Sequence, residues 1–108
     1  MPTVVKRTGL KRDYEREKIR SSMRLALRKR PVGNERIEEA IGAIEQQILT
    51  LGEREVSSMQ IGEFVLEQLK KLDLVAYIRF ASVYFNVENP EGFQKLMREL
   101  EGVDRRKR

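Results

Sequence analysis

Apolar positions follow two spacings along this chain, and the switch between them falls near residue 15. Before it, the β-branched pair Val4–Val5, the Thr8–Gly9 step and the return from Leu10 to Tyr14 predict a β-hairpin. Gly9 can take a positive φ and Thr8 cannot do so cheaply, which favours a type I turn with a glycine bulge. Two strands alone are barely stable in water, so the hairpin must rest on an apolar support.

After residue 15 the spacing is helical. Glu15 to Arg30 places Ile19, Met23, Ala26 and Leu27 on one stripe and Arg20, Arg24 and Arg28 on another, with Pro31 as the stop. A second helix is predicted from an Asn34 cap to Leu51, carrying Ile37, Ile41, Ile44, Ile48 and Leu51, with Gly52 just past its end. Glu53-Arg54-Glu55 reads as a charged connector. A third helix starts at Ser57 or Ser58 and turns Ile61, Val65, Leu69 and Leu72 inward. Asp73 then caps a fourth, Leu74 to Val87, which is apolar nearly all round and is expected in the middle of a bundle. Asn89-Pro90 opens an amphipathic fifth helix with Phe93, Leu96, Met97 and Leu100.

The expected fold is α+β and mainly helical: a hairpin lid over a four-helix bundle, with an additional C-terminal helix. The expected organisation is one domain over residues 3–88, a packing or oligomerisation helix over 89–101, and a frayed basic tail over 102–108.

Composition narrows the chemistry. The 108 residues contain no cysteine and no histidine, which removes disulfides, thiol and imidazole catalysis and the usual zinc sites. No Walker-type glycine loop is present, so neither a catalytic residue nor a metal ligand is expected. Nothing approaches a membrane span and the N-terminus lacks the apolar core of a secretory signal, so the cytoplasm is the expected compartment. The net charge of +5 is uneven: Lys6 to Arg30 holds eleven basic and three acidic residues, and the acidic residues outnumber the basic ones elsewhere. Such a field attracts polyanions.

Candidate ligands of an anion are therefore sought near the N-terminus. Lys6 and Arg7 lie at the neck of the hairpin, and Lys18 lies in the first turn of the next helix, where free N–H groups favour negative charge. Lys6 and Arg7 project to opposite faces of the hairpin, so if the lid folds over that helix start, one of them and Lys18 converge on a single polyphosphate. The same residues also suit a solvated edge strand and a surface helix. Tyr84 could offer a ring face and a hydroxyl to a base, or be ordinary core. Ser58 reads as a helix cap or as a hydroxyl near the ligand. Arg79, the lone charge on the fourth helix, calls for a partner, with Glu63 and Glu67 as candidates. Arg20, Arg24 and Arg28, with Lys29 and Arg30, suit a solvated face, a second anionic contact or a nucleic-acid stripe, and with the Arg105 to Arg108 tail they leave open a nucleic-acid module.

The stretch VVKRTGLKRDYEREKI (Val4 to Ile19) resembles the signature of the ATP-cone family, a Val-x-Lys-Arg-Asp/Asn-Gly hairpin followed by an aromatic and a lysine. Lys29-Arg30-Pro31-Val32, GEREVSSMQIG (Gly52 to Gly62) and LDLVAYIRFASVY (Leu72 to Tyr84) are similar to the cone of the bacterial transcriptional repressor of ribonucleotide reductase genes. The resemblance implies a non-catalytic regulatory domain that binds ATP or dATP, optionally with Mg2+, and changes oligomeric arrangement. Carried over by position, Lys6, Arg7 and Lys18 would hold phosphates, Val5 would line the pocket, Tyr84 would face the nucleotide and Ser58 would lie nearby. The implied partners are the adenine nucleotide, further copies of the chain and a protein of ribonucleotide reductase control, with DNA reached only indirectly. Three features depart from the family: the cysteine zinc ribbon is missing, Thr8 replaces the hairpin Asp or Asn, and Phe85 replaces an arginine. Phe85 is expected to be exposed or to seek an interface.

Overall fold

The computed structural model describes residues 1–107, with side-chain detail to residue 103. Its elements run β1 (Thr3–Val5), β2 (Lys11–Arg12), α1 (Arg16–Ala26), α2 (Asn34–Thr50), β3 (Glu55–Ser57), α3 (Ser58–Leu72), α4 (Leu74–Tyr84) and α5 (Pro90–Lys107). The chain is α+β and mainly helical, as its periodicity predicts.

The hairpin turn has the expected geometry. Gly9 N–H donates to the Lys6 carbonyl at 2.9 Å, Lys6 N–H donates to the Leu10 carbonyl at 2.8 Å, and Gly9 sits at φ +88°. This is a type I turn closed by a left-handed glycine. Its apolar support includes a third strand. The segment read as a charged connector contributes β3, which pairs in parallel with β1 in the register Thr3↔Glu55, Val4↔Val56 and Val5↔Ser57. The sheet order is β2-β1-β3, with Val4 and Val56 buried side by side at its centre. A single apolar residue between Glu55 and Ser57 carries no periodicity, which is why the strand was invisible in the sequence.

The core lies beneath this sheet among Met23, Ile41, Ile44, Ile48, Leu69 and Tyr77, all almost fully buried. Helix α1 is shorter than its stripe suggests. It ends at Ala26, and Lys29 adopts φ +60°, so the chain turns before Pro31 is reached. Gly33, not Asn34, holds the cap position of α2. Ser57 is the cap of α3, its hydroxyl accepting from Gln60 N–H at 3.0 Å, so Ser58 is not the cap. Asp73 caps α4 as predicted, accepting from Ala76 N–H at 2.9 Å. Asn89 likewise accepts from Glu91 N–H at 2.9 Å ahead of Pro90.

The fourth helix corrects one expectation. Only Ala76, Tyr77 and Ala81 are buried on α4, while Leu74, Val75 and Ile78 are more than one-third exposed and Val83 is 80% exposed. An apolar surface all round a helix implies cover on every side, and among the described residues these four side chains are only partly covered. Helix α5 packs on α4, with Leu96 buried and Phe93 and Met97 turned outward. It continues past residue 101 to Lys107, so the backbone does not change where the basic tail was expected to begin. Arg108 and the side chains of Arg105, Arg106 and Lys107 lie outside the described residues. Phe85 is half-buried, its ring edge-on to Tyr84 at 5.1 Å, and not exposed. No helix among the described residues is long and apolar enough to cross a membrane.

Candidate functional site

Parallel pairing of β1 with β3 sets the hairpin tip over the start of α3. Beneath that tip opens a cavity of about 860 Å3 between α1, α3 and α4. Its cationic lining is Arg7, Arg28, Lys29 and Arg79, and its apolar wall includes Leu25, Phe80, Val83 and Tyr84. A cleft of about 150 Å3 adjoins it, sharing Ser22, Ser58, Gly62 and Phe80, and reaches back under the hairpin to Val4, Arg12, Tyr14, Glu15 and Lys18.

Arg7 is held over the cavity by weak acceptors. Its Nε donates to the Met59 thioether at 2.9 Å and one terminal nitrogen reaches the Tyr84 carbonyl at 3.4 Å. A thioether is a poor acceptor beside a phosphate oxygen, which binds guanidinium bidentately and with charge assistance. Lys6, Lys18, Arg28 and Lys29 form no ion pair among the described residues. Other cations of the basic segment are already occupied. Arg20 grips Glu38 through two nitrogens at 2.9 and 2.7 Å and also contacts Glu17. Arg16 reaches Glu45 at 3.2 Å, Lys11 reaches Glu55 at 2.6 Å, and Arg30 holds Asp73 through its Nε at 2.9 Å. The arginine stripe read from α1 is thus partly spent within the fold, with Arg20 facing α2.

Of the residues picked out by sequence, the structure brings Arg7, Ser58 and Tyr84 to the large cavity, and Lys18 and Ser58 to the cleft. Val5 and Lys6 line neither. Val5 is half-buried in β1, and Lys6 is exposed at the hairpin neck. The Tyr84 hydroxyl is not free for a ligand, since it donates to the Met59 carbonyl at 3.0 Å. Burial pushes its pKa up, the nearby Glu63 carboxylate adds to that, and Arg7 opposes it. The ring is what Tyr84 presents.

Arg79 takes neither Glu63 nor Glu67. One terminal nitrogen donates to the Ala26 carbonyl at 3.1 Å and the Arg28 carbonyl at 2.8 Å. Because α1 ends early, the Ala26 and Arg28 carbonyls have no following helical turn to supply an N–H, and the Arg79 cation caps that negative end. Sequence reasoning passed over Arg12, which lines the cleft, and offered Arg28 and Lys29 as a second anionic contact without placing them beside Arg7 at the cavity. Their charge was visible in the sequence, but the turn that faces Arg28 and Lys29 inward depends on the left-handed Lys29.

The arrangement suits a nucleoside triphosphate. The volume falls in the range of small-molecule sites, cations line one wall and aromatic rings another, and a narrow apolar cleft leads off the cavity. No group of three or more Asp, Glu, His or Cys able to hold a metal occurs among the described residues. The cations at this site can bind and orient an anion.

A mainly helical fold capped by a short sheet, with a cation-lined cavity beneath its hairpin, is the frame of a nucleotide-binding regulatory domain. The ATP cone domain pattern matches residues 2–90. The chain belongs to the ATP cone domain family. It is 50% identical over 107 residues to the transcriptional repressor NrdR of Dechloromonas aromatica, a match spanning 99% of this chain and 70% of that protein. It is 51% identical over 106 residues to NrdR of Cupriavidus metallidurans, spanning 98% and 68% of the two chains.

Proposed function

We propose that this chain is the ATP- and dATP-sensing part of an NrdR-type repressor, serving the control of ribonucleotide reductase genes. The observation that carries this reading is Arg7 poised on a thioether above a cation-lined cavity, with Lys18 at the adjoining cleft. Arg7 and Lys18 hold phosphates, Ser58 lies where the two spaces meet, and the Tyr84 ring walls the nucleotide. Lys6 adds charge from the next position on the hairpin, and Val5 forms the apolar root of the strand that carries both. Mg2+ enters as a counter-ion of the triphosphate. Nucleotide state is read out as oligomeric arrangement. The partly covered apolar face of α4 supports self-association, and DNA is reached through that assembly.

Titration calorimetry with ATP and with dATP tests the reading. Binding by the wild type, and a loss of about tenfold or more in the Arg7→Ala, Lys18→Ala double variant, is the expected result. Unchanged affinity in the double variant removes the site assignment, and a wild type that binds neither nucleotide removes the function. Because ligand binding stabilises the native state by mass action, a thermal-shift series over nucleotide concentration gives an independent check.

A further inference from the structure

Met59, in the first turn of α3, is held from two sides. Its carbonyl accepts from the Tyr84 hydroxyl at 3.0 Å, and its thioether accepts from Arg7 Nε at 2.9 Å. The side chain is half-buried and lines the large cavity. Arg7 forms no ion pair among the described residues. Glu63, one turn further along α3, accepts from Gln60 Nε2 at 3.1 Å instead. The other three methionines stand elsewhere: Met23 is fully buried, and Met1 and Met97 are exposed but line neither the cavity nor the cleft. A sulfur facing a space wide enough for a nucleotide is within reach of a small oxidant.

A hydroperoxide converts a thioether to a sulfoxide. Sulfur attacks one peroxide oxygen, and the S–O bond forms as the O–O bond breaks. The departing oxygen takes up the proton and leaves as water or an alcohol. Sulfur is oxidised by two electrons and the peroxide is reduced by the same two. A thioether is a weak acceptor, whereas the sulfoxide oxygen is strongly polar and accepts well. Beside Arg7 it makes a charge-assisted hydrogen bond and competes with a phosphate oxygen for the same guanidinium.

We propose that Met59 is an oxidation site that sets how readily Arg7 is released to a nucleotide: a hydroperoxide converts Met59 to the sulfoxide, which retains Arg7 and weakens nucleotide binding. This rests on the nucleotide reading above and adds a regulation of that same site. The thioether is a loose hold that a phosphate displaces, and the sulfoxide is a firm one. Reduction by a dithiol-dependent sulfoxide reductase, which yields a disulfide and water, returns the loose hold.

The wild type and Met59→Leu are each treated with hydrogen peroxide, and the oxidised methionines are mapped by peptide mass spectrometry. ATP affinity is measured by calorimetry before and after. The wild type is expected to lose about tenfold in affinity as Met59 is oxidised, and to regain it with methionine sulfoxide reductases A and B and dithiothreitol. Met59→Leu is expected to keep its own starting affinity while Met1 and Met97 are oxidised. Met59→Gln, which sets a carbonyl oxygen near the place of the sulfoxide one, is expected to bind ATP more weakly than Met59→Leu with no oxidant present. Should Met59→Leu fail to fold, Met59→Gln, equally inert to peroxide, serves as the untitrated control. A Met59 that stays reduced while Met97 is fully oxidised overturns the proposal. So does a wild type oxidised at Met59 with unchanged affinity, or a Met59→Leu that loses as much as the wild type. In each of those cases the reduced wild type still binds ATP, and the nucleotide reading stands. A reduced wild type that does not bind ATP defeats the underlying function and this inference together.

Discussion

The ring of Tyr84 lies over Gly62 so closely that a Cβ added to Gly62 would stand 2.6 Å from Tyr84 Cε2. The ring cannot simply swing aside, because its hydroxyl is tied to the Met59 carbonyl one turn earlier on the same helix. Gly62→Ala is expected to cost about 1–3 kcal/mol through this overlap. It is also expected to weaken ATP binding, since both residues line the cavity. Urea denaturation and calorimetry on the one variant check the two effects.

Arg79 caps the end of α1 through two backbone carbonyls, so its removal leaves both without that donor. Arg79→Ala is expected to destabilise the free protein by about 1–2 kcal/mol, with Arg79→Lys recovering part of the loss. Equal stability of Arg79→Ala and the wild type in thermal melts would show that water replaces the guanidinium at no cost.

Asp73 sets an acid limit on the fold. Burial by itself would raise its pKa, but the Ala76 N–H, the Arg30 guanidinium and the Val75 N–H together outweigh burial and hold it below the usual carboxylate range. The folded state thus favours the ionised form. Its contribution is complete above the unfolded pKa near about 4 and fades as the pH falls through the lower folded value. Asp73→Asn should therefore be less stable than the wild type at pH 7, by about 1–3 kcal/mol, with the gap narrowing below about pH 4. Parallel denaturation curves at both pH values measure this directly.

The apolar face of α4 gives a separate expectation for assembly. Val75 and Ile78 are more than one-third exposed and line neither the cavity nor the cleft. Val75→Lys with Ile78→Lys should leave folding and nucleotide affinity within about 0.5 kcal/mol of the wild type. Sedimentation with saturating ATP or dATP should then show a smaller species than the wild type forms. If both proteins sediment alike, this face is not the contact.

Much of the fold was legible because it rests on local rules. The glycine that closes the hairpin, the isoleucine ladder of α2, the Asp73 cap and the Asn89-Pro90 start each follow from a few adjacent residues. What escaped depends on contacts distant in sequence. Strand β3 has one buried side chain and exists because β1 lies beside it. The early end of α1 turns on Lys29 entering the left-handed region, which its residue type does not announce. The partner of Arg79 was sought among carboxylates because buried charge suggests an opposite charge, whereas the shortened helix supplied carbonyls. The candidate site was half legible for the same reason. Arg7, Lys18, Ser58 and Tyr84 fall at its lining, but the cations of the α1 turn and Arg12 needed the folded chain to place them.

Val4 sits between two neighbours, one eight residues downstream and the other more than fifty. A peptide ending soon after Tyr14 would contain the whole hairpin and still leave one edge of its middle strand bare. During synthesis, then, the lid must wait for residue 57 to leave the ribosome, by which time α1 and α2 have already been made. The part of the molecule that begins the chain is among the last to settle, and grafting those first residues onto another scaffold would transfer the cations without the means to aim them.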